Sequence, residues 1–160
     1  MASVERSIEV NVPVSTAYNQ WTQFEQFPLF MEGVQEVRQL DDKRLHWKAS
    51  IAGKQEEWDA IITEQVPDQQ IAWASTSGSD NSGIIHFMPV SANMTRVTAV
   101  IGYAPEGIIE AVGDKLGLVE RRVDGDLKRF KEFIESRGMA TGAWRGQIHD
   151  ASVEEGAGAI

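Results

Sequence analysis

Three histidines are the residues best suited to acid–base chemistry at neutral pH in this chain of 160 residues, which has no cysteine. His46 and His86 lie on the strand parity opposite Trp47 and Phe87, and His149 lies near the C-terminus. We therefore expect all three imidazoles to be exposed. No two of them have a spacing that would bring both rings to one metal ion, so no metal site is predicted.

Two glutamates and one tyrosine are the candidates for proton transfer inside the protein. Glu56 and Glu64 share the parity of Trp58, and either carboxyl would have a raised pKa if it faced an apolar cavity. The alternative is that the acidic residues at 56–59 form a solvated strand edge. Tyr103 ends an otherwise apolar row, so its hydroxyl needs a partner from a ligand or a neighbouring side chain.

Common catalytic and cofactor motifs are absent. The sequence contains no GxSxG, HExxH, GxxxxGK[ST] or GxGxxG pattern, so we expect no hydrolase nucleophile, zinc-protease site or nucleotide site, and no cofactor. A net charge of −9 would repel a phosphate backbone, which excludes nucleic acid as the expected partner. Without an export signal or an apolar run of about 20 residues, we expect a cytoplasmic protein without stable membrane insertion.

The N-terminal third predicts a strand followed by two short helices. Residues 4–12 alternate between apolar and polar side chains, which is typical of a strand with one buried face, and Pro13 ends it. Ser15 is a suitable N-cap for a helix near residues 15–23. A second short helix or irregular turn is expected over residues 24–31.

The middle of the chain predicts about six further strands joined by short loops. Turn signals at 41–42, 52–53, 67–68, 78–83 and 91–93 separate runs of alternating residues, and such short loops favour antiparallel hairpins. The bulkier parity of each run is expected to face inward. These inward rows are Leu45, Trp47, Ala49 and Ile51; Trp58, Ala60 and Ile62; Ile71 and Trp73; Ile85 and Phe87; and Val97, Ala99, Ile101 and Tyr103.

A long amphipathic helix is predicted from about residue 106 to residue 137. Apolar residues recur every three or four positions and form one stripe, which includes Val112, Leu116, Val123 and Phe130. A helix of this length spans roughly 45 Å, enough to cross a whole curved sheet. The chain therefore follows an α+β plan in which the helix covers the concave side of the sheet.

The residues after this helix are rich in glycine and alanine. We expect one domain over residues 1–137 and a flexible tail over residues 138–160. Trp144 is unusual in such a context. It either docks onto its own domain or a second subunit, or it belongs to a disordered extension.

Four passages resemble a known family. They are FPLFMEGV at 27–34, WDAIITEQVP at 58–67, NSG at 81–83 and GDLKRFK at 125–131. The chain resembles the START-like superfamily with the helix-grip fold, and within it the bacterial polyketide cyclase/dehydrase and lipid-transport group that includes the coenzyme Q-binding proteins. The resemblance implies a curved antiparallel sheet of about seven strands around a long C-terminal helix, with a cavity between them.

The residues expected to line that cavity are mostly aromatic. They are Trp47, Trp58, Trp73, Phe87 and Tyr103 from the strands, with Val112 and Leu116 from the helix. The alternative is that these rings only fill the core. Phe27, Phe30 and Met31 form either a gate at one rim or a plug that closes one end of the core.

Three functions fit this pattern. The first is the binding of a small hydrophobic ligand such as a lipid, a quinone or a polyketide-like aromatic, for transport or sequestration. The second is an aromatic polyketide cyclase or dehydratase, although no inward cluster of Arg, His or Asp is identified. The third is a protein-interaction module whose cavity is filled. The patterns favour no particular oligomeric state.

Overall fold

Nine strands, two α-helices and a short 3-10 helix are found in a computed structural model, which describes residues 2–51, 54–78, 81–103 and 115–154. In chain order they are β1 (Ala2–Val10), α1 (Val14–Trp21), the 3-10 helix η1 (Phe24–Leu29), β2 (Val34–Gln39), β3 (Arg44–Ile51), β4 (Lys54–Val66), β5 (Gln70–Gly78), β6 (Asn81–Ser91), β7 (Met94–Tyr103), α2 (Lys115–Arg137), β8 (Gln147–His149) and β9 (Ser152–Glu154).

The strands form one antiparallel sheet with the order β1-β7-β6-β5-β4-β3-β2. This seven-strand path and the long helix α2 confirm the predicted α+β helix-grip architecture. The hairpin of β8 and β9 was not predicted, and it joins the sheet through a pairing of Ile148 with Gln65 in β4. Among the described residues, neither α-helix is long and apolar enough to span a bilayer.

The predicted inward rows are largely confirmed. Their members in β3 to β7 are buried, except for the partly buried Ile101 and for Ile51 and Tyr103, whose side chains lie outside the description. The helix predicted after Pro13 also forms, but Ser15 is its second residue and caps nothing. Pro13 occupies the N-cap position instead, without a side-chain hydrogen bond.

One predicted row changes side within β4. A register shift between Ile62 and Glu64 leaves Ile62 buried against Trp73 and then buries Gln65 opposite Ile71. Because successive residues of a regular strand alternate faces, this bulge moves Glu64 off the row of Trp58.

A packed aromatic cluster joins α2 to α1 and η1. It consists of Trp21, Phe27, Phe30 and Phe130. Ring centroids lie 5.2 Å apart for Phe130 and Trp21 and 5.2 Å apart for Phe130 and Phe30, in tilted or edge-on contacts. All four rings are at most 2% exposed, so the cluster is a solid part of the core.

The residues after α2 differ from the flexible tail that composition predicts. Residues 138–154, called here the C-terminal strap, run across α1 and end in the β8–β9 hairpin. Trp144 packs against the core and donates its backbone N–H to Thr22 Oγ1 at 3.1 Å, and Ile148 is fully buried. Trp144 therefore docks onto its own domain, because these apolar side chains find a site there. Residues 155–160 lie outside the described residues.

Candidate functional site

A cavity of about 180 Å³ lies between the sheet and α2. Most of its described lining is apolar and comes from α1, the segment that precedes β2, six strands and α2. The lining residues are Trp21, Met31, Val34, Trp47, Ala49, Trp58, Trp73, Asn81, Ser82, Ile85, Ala99, Ile101, Val119, Arg122, Val123, Asp126 and Leu127. The side chains of the described residues therefore leave a space between the sheet and α2.

Three indole rings form one wall of the cavity, called here the tryptophan wall. Trp47 in β3 faces Trp58 across the strand pair, with ring centroids 5.6 Å apart and planes 12° apart. Trp47 also stacks on Trp73 of β5 at 6.0 Å and 24°. The three planes are nearly parallel, so the wall is a stack of indole rings beside the cavity.

A small set of polar residues forms the polar end of the cavity. Asn81 and Ser82 come from the start of β6, while Arg122 and Asp126 lie one turn apart on α2. Arg122 and Asp126 thus form an inward pair that the sequence patterns did not identify. A four-residue spacing on a helix puts both side chains on one face, and here that face looks onto the cavity.

These helix residues also hold the loop between η1 and β2. Arg122 Nη1 donates to the Glu32 carbonyl at 2.9 Å, and Asp126 Oδ1 accepts the Glu32 N–H at 3.1 Å. Arg129 donates to the Phe30 carbonyl at 3.0 Å and to Asp126 Oδ1 at 2.6 Å. Within the described residues, Arg122 Nη2 and Asp126 Oδ2 form no hydrogen bond.

Asp126 has a perturbed acidity. Burial raises the pKa of its carboxyl to about 6, although the hydrogen bonds from Arg129 and the Glu32 N–H and the charge of Arg122 oppose the shift. A carboxyl with this pKa can hold or release a proton near neutral pH. Together with Arg122 it supplies a hydrogen-bond acceptor and a cationic donor at one end of an apolar space.

The variant Asp126→Asn is expected to gain stability relative to the wild type as the pH rises. The pKa of the folded carboxyl is about 6 against an ordinary 3.8, so its protonation favours folding and that contribution is lost as the pH rises through 6. The unfolding free energy of Asp126→Asn minus that of the wild type should increase by on the order of 2 kcal/mol between about pH 3.5 and pH 7.5. Urea unfolding of both proteins at these two pH values measures it. A difference that does not change with pH would contradict the assignment.

The structure places four of the predicted ligand-contact residues in the cavity lining, namely Trp47, Trp58, Trp73 and Met31. Three other predicted residues do not line it. Phe27 and Phe30 belong to the aromatic cluster, where Trp21 contacts both rings and itself lines the cavity. This arrangement matches the plug rather than the gate.

Phe87 is the third residue that does not line the cavity, since it packs edge-on against Tyr18 at 5.4 Å. Two of the remaining predicted residues, Tyr103 and Leu116, lie in β7 and α2, but their side chains are outside the description. Val112 lies outside the described residues altogether. The expected contacts of these three with a ligand stay predictions.

Neither glutamate candidate reaches the cavity lining. The bulge in β4 turns Glu64 toward the strap, where its carboxylate contacts His149 Nδ1 at 3.0 Å and accepts the Asp150 N–H at 3.2 Å. Glu56 keeps the expected parity, but its carboxylate lies 3.5 Å from Lys54 Nζ. An inward acid–base role for these two carboxyls therefore has no geometric support.

The histidines lie away from the cavity. His86 is exposed as expected, whereas His46 is only 28% exposed because its ring nitrogens contact Asp59 at 2.6 Å and Glu57 at 3.0 Å. The hydrogen bonds that the His46 ring donates to these two carboxylates raise the pKa of His46. Among the described residues, no cluster of His, Asp and Glu is arranged to bind a metal ion.

Comparisons with known proteins agree with this geometry. Residues 10–132 match the family model described as polyketide cyclase / dehydrase and lipid transport. The chain is 50% identical over 149 residues to an uncharacterized 17.2 kDa protein from the melC2-rnhH intergenic region of Streptomyces lincolnensis, covering 92% of this chain and 99% of that protein.

Solved structures show the same fold. The Zhui aromatase/cyclase from Streptomyces sp. R1128 has a TM-score of 0.72 at 15% identity, covering 89% of this chain and 99% of that chain. The protein DR_A0006 from Deinococcus radiodurans has a TM-score of 0.68 at 27% identity, covering 86% and 100%. A START superfamily protein from Mycobacterium smegmatis has a TM-score of 0.66 at 14% identity, covering 84% and 95%.

Proposed function

The chain belongs to the polyketide cyclase/dehydrase and lipid transport family, and we propose that it binds a small, mainly apolar ring compound with one oxygen-bearing end. The observation that carries this proposal is the cavity of about 180 Å³, whose described lining is mostly apolar with polar residues at one end. The cavity disfavours the third function considered above, an interaction module whose interior is filled.

The size and walls of the cavity favour a compact ring system. An engineered apolar cavity of about 150 Å³ in another protein binds benzene, so this slightly larger space suits a ligand of one or two rings. The tryptophan wall would contact the flat face of such a ligand. Stacked or edge-on aromatic contacts contribute about 0.5–1.5 kcal/mol per pair beyond the burial of apolar area.

The polar end favours a ligand that both accepts and donates hydrogen bonds. Arg122 Nη2 is an available donor, and Asp126 Oδ2 is an available acceptor, among the described residues. A hydroxyl on a ring, alone or beside a carbonyl, can use both groups at once. A plain hydrocarbon would use neither group.

The first test is to identify what the protein carries. The protein is purified without detergent, its mass is measured under native and denaturing conditions, and organic extracts are analysed by mass spectrometry. We expect a stoichiometric apolar compound in the native complex. If none is found, 2-naphthol is titrated while the tryptophan fluorescence is followed. A protein that carries no ligand and does not respond to 2-naphthol contradicts the proposal.

The role of Arg122 is tested by the variant Arg122→Met. Losing one hydrogen bond to a charged group is expected to weaken 2-naphthol binding about tenfold. Arg121→Met is the matched control, because Arg121 is exposed and does not line the cavity. Equal affinities of the two variants for 2-naphthol would show that Arg122 does not contribute to ligand binding.

A second candidate function is cyclisation and dehydration of a polyketone. Asp126 favours it, since a carboxyl with a pKa of about 6 beside a cationic Arg122 can move protons next to a polarised carbonyl. The test incubates a short β-polyketone thioester with the protein and follows loss of water by mass spectrometry. Turnover that Asp126→Asn abolishes would support an enzyme, and a substrate that binds without change would support binding alone.

A further inference from the structure

We propose that the contact of Trp73 with Gly83 determines the largest planar ligand that the cavity accepts. The inference rests on the proposed binding function and names a specificity-determining pair within it. Gly83 belongs to the NSG passage of the sequence, and it lies in β6 directly opposite Trp73 of β5. Both residues are buried.

The indole of Trp73 lies directly on the backbone of Gly83. A Cβ at position 83 would lie 2.5 Å from Trp73 Cζ2 and 2.7 Å from Cε2, well below an ordinary contact of 3.4–4 Å. Only glycine permits this approach, since any other residue would place a carbon inside the ring's contact distance. The absence of a side chain at Gly83 thus allows the Trp73 ring to pack directly against the backbone of β6.

The position of this ring limits the cavity on the β5 and β6 side. Trp73 lines the cavity. Within the tryptophan wall it stacks on Trp47, at 6.0 Å between ring centroids. A methyl group at position 83 would push the indole about 1 Å away from β6 to reach ordinary contact. That movement leads toward Trp47 and into the empty volume, so the space for a ligand shrinks.

The shape of the wall defines the ligand that is excluded first. Because its planes lie within 12° and 24° of one another, a fused planar ring system fits against them. A ring pushed inward would remove the depth needed for a second fused ring before it removed room for one ring. The pair therefore separates two-ring from one-ring ligands.

The experiment compares phenol, 2-naphthol and 2-hydroxyanthraquinone as ligands with one, two and three rings. Affinities are measured by calorimetry for the wild type, Gly83→Ala, Trp73→Phe and the double variant Gly83→Ala/Trp73→Phe. We expect Gly83→Ala to lose at least tenfold in affinity for 2-naphthol and less than threefold for phenol. The double variant should regain 2-naphthol binding, and Trp73→Phe alone should gain at least tenfold for 2-hydroxyanthraquinone.

Gly146→Ala is a matched control. A Cβ at Gly146 would lie 2.6 Å from the ring of Trp144, so the same clash is created in the strap, away from the cavity lining. This variant should keep the wild-type order of affinities. It separates a change of cavity shape from a general loss of stability.

A crystal structure of ligand-free Gly83→Ala gives a result that does not depend on binding, and Trp73 displaced by about 1 Å toward Trp47 is expected. Unchanged ring position, or an unchanged ratio of 2-naphthol to phenol affinity, overturns the inference. If Gly83→Ala does not fold, the inference is tested with Trp73→Phe alone. A Trp73→Phe variant that gains no affinity for 2-hydroxyanthraquinone overturns the inference. If the wild type binds none of the three probes but Trp73 is displaced in Gly83→Ala, the proposed function is overturned and the steric role of the pair is supported.

Discussion

A chain that ends at Gly138 is expected to lose about 4 kcal/mol of unfolding free energy relative to a chain that ends at Glu154. The shortened chain lacks Ile148, which is fully buried, and Trp144, which packs against the core. Burying one large aliphatic side chain contributes about 1.5–3 kcal/mol, and partial burial of the indole adds to this. Such a loss is a large share of the 5–15 kcal/mol typical of a domain.

The strap also satisfies polar groups that would otherwise lose their partners. The buried Gln20 amide donates to Thr141 Oγ1 at 3.1 Å and accepts the Thr141 N–H at 2.9 Å. Arg145 lies 5.5 Å from the ring of Tyr18 and forms an ion pair with Asp68 at 2.9 Å. Removing the strap therefore exposes apolar surface and also eliminates these hydrogen bonds and the ion pair, and both effects destabilise the fold.

Urea unfolding monitored by circular dichroism measures this loss, with the chain ending at Glu154 as the control because it keeps all described strap contacts. Ile148→Ala provides a milder form of the same test, with an expected loss of about 2–4 kcal/mol. Unfolding midpoints that coincide for the two chain lengths would show that the strap contributes nothing to stability, and residues 138–160 would then be the dispensable tail that composition suggests.

Phe130→Ala is expected to cost about 3–5 kcal/mol of unfolding free energy, the largest effect of any single substitution considered. The Phe130 ring is fully buried and joins α2 to Trp21 and Phe30 within the aromatic cluster. The surrounding rings are held by α1 and by η1 with the residue that follows it, so they cannot collapse fully into the space left behind. Part of the cost is therefore the void itself.

Phe133→Ala is the control for this substitution. Phe133 lies one turn away on α2 and contacts Phe30 at 5.7 Å, but it is only partly buried. We expect it to cost less than half as much as Phe130→Ala when both are measured by urea unfolding. Similar costs at the two positions would contradict the larger stabilising role assigned to the fully buried Phe130 ring.

Strand alternation and helix periodicity predict most of this fold because burial of one face imposes them directly. The rows of Trp47 and Trp58 are correctly predicted for this reason. The bulge that moves Glu64 is not predictable, since a single extra residue leaves no mark in the pattern of residue types. The strap is missed because its affinity for α1 depends on a surface that exists only after folding.

The two helix residues at the polar end of the cavity could have been predicted from the sequence. Arg122 and Asp126 fall on the same face of the helix as Val119 and Val123, so two charged residues interrupt an apolar stripe. A charge inside such a stripe is typical of a site rather than of a solvated face. The contact of Trp73 with Gly83 carries no comparable signal, because strand register decides it.

The polar contacts that attach the loop at residues 30–33 to α2 are made mainly by its main chain. The hydrogen bonds of Arg122, Asp126 and Arg129 to this loop go to the Phe30 carbonyl and to the Glu32 N–H and carbonyl, and apart from proline any residue can provide these atoms. The one ion pair between these helix residues and the loop, within the described part of the chain, is the exposed pair of Arg129 with the Glu32 carboxylate at 3.2 Å. The Leu29 side chain beside this loop is 59% exposed, and that of Glu32 is 71% exposed. Positions 29 and 32 can therefore exchange side chains while the backbone stays in place, and substitutions there should leave Met31 and Val34 in the cavity lining.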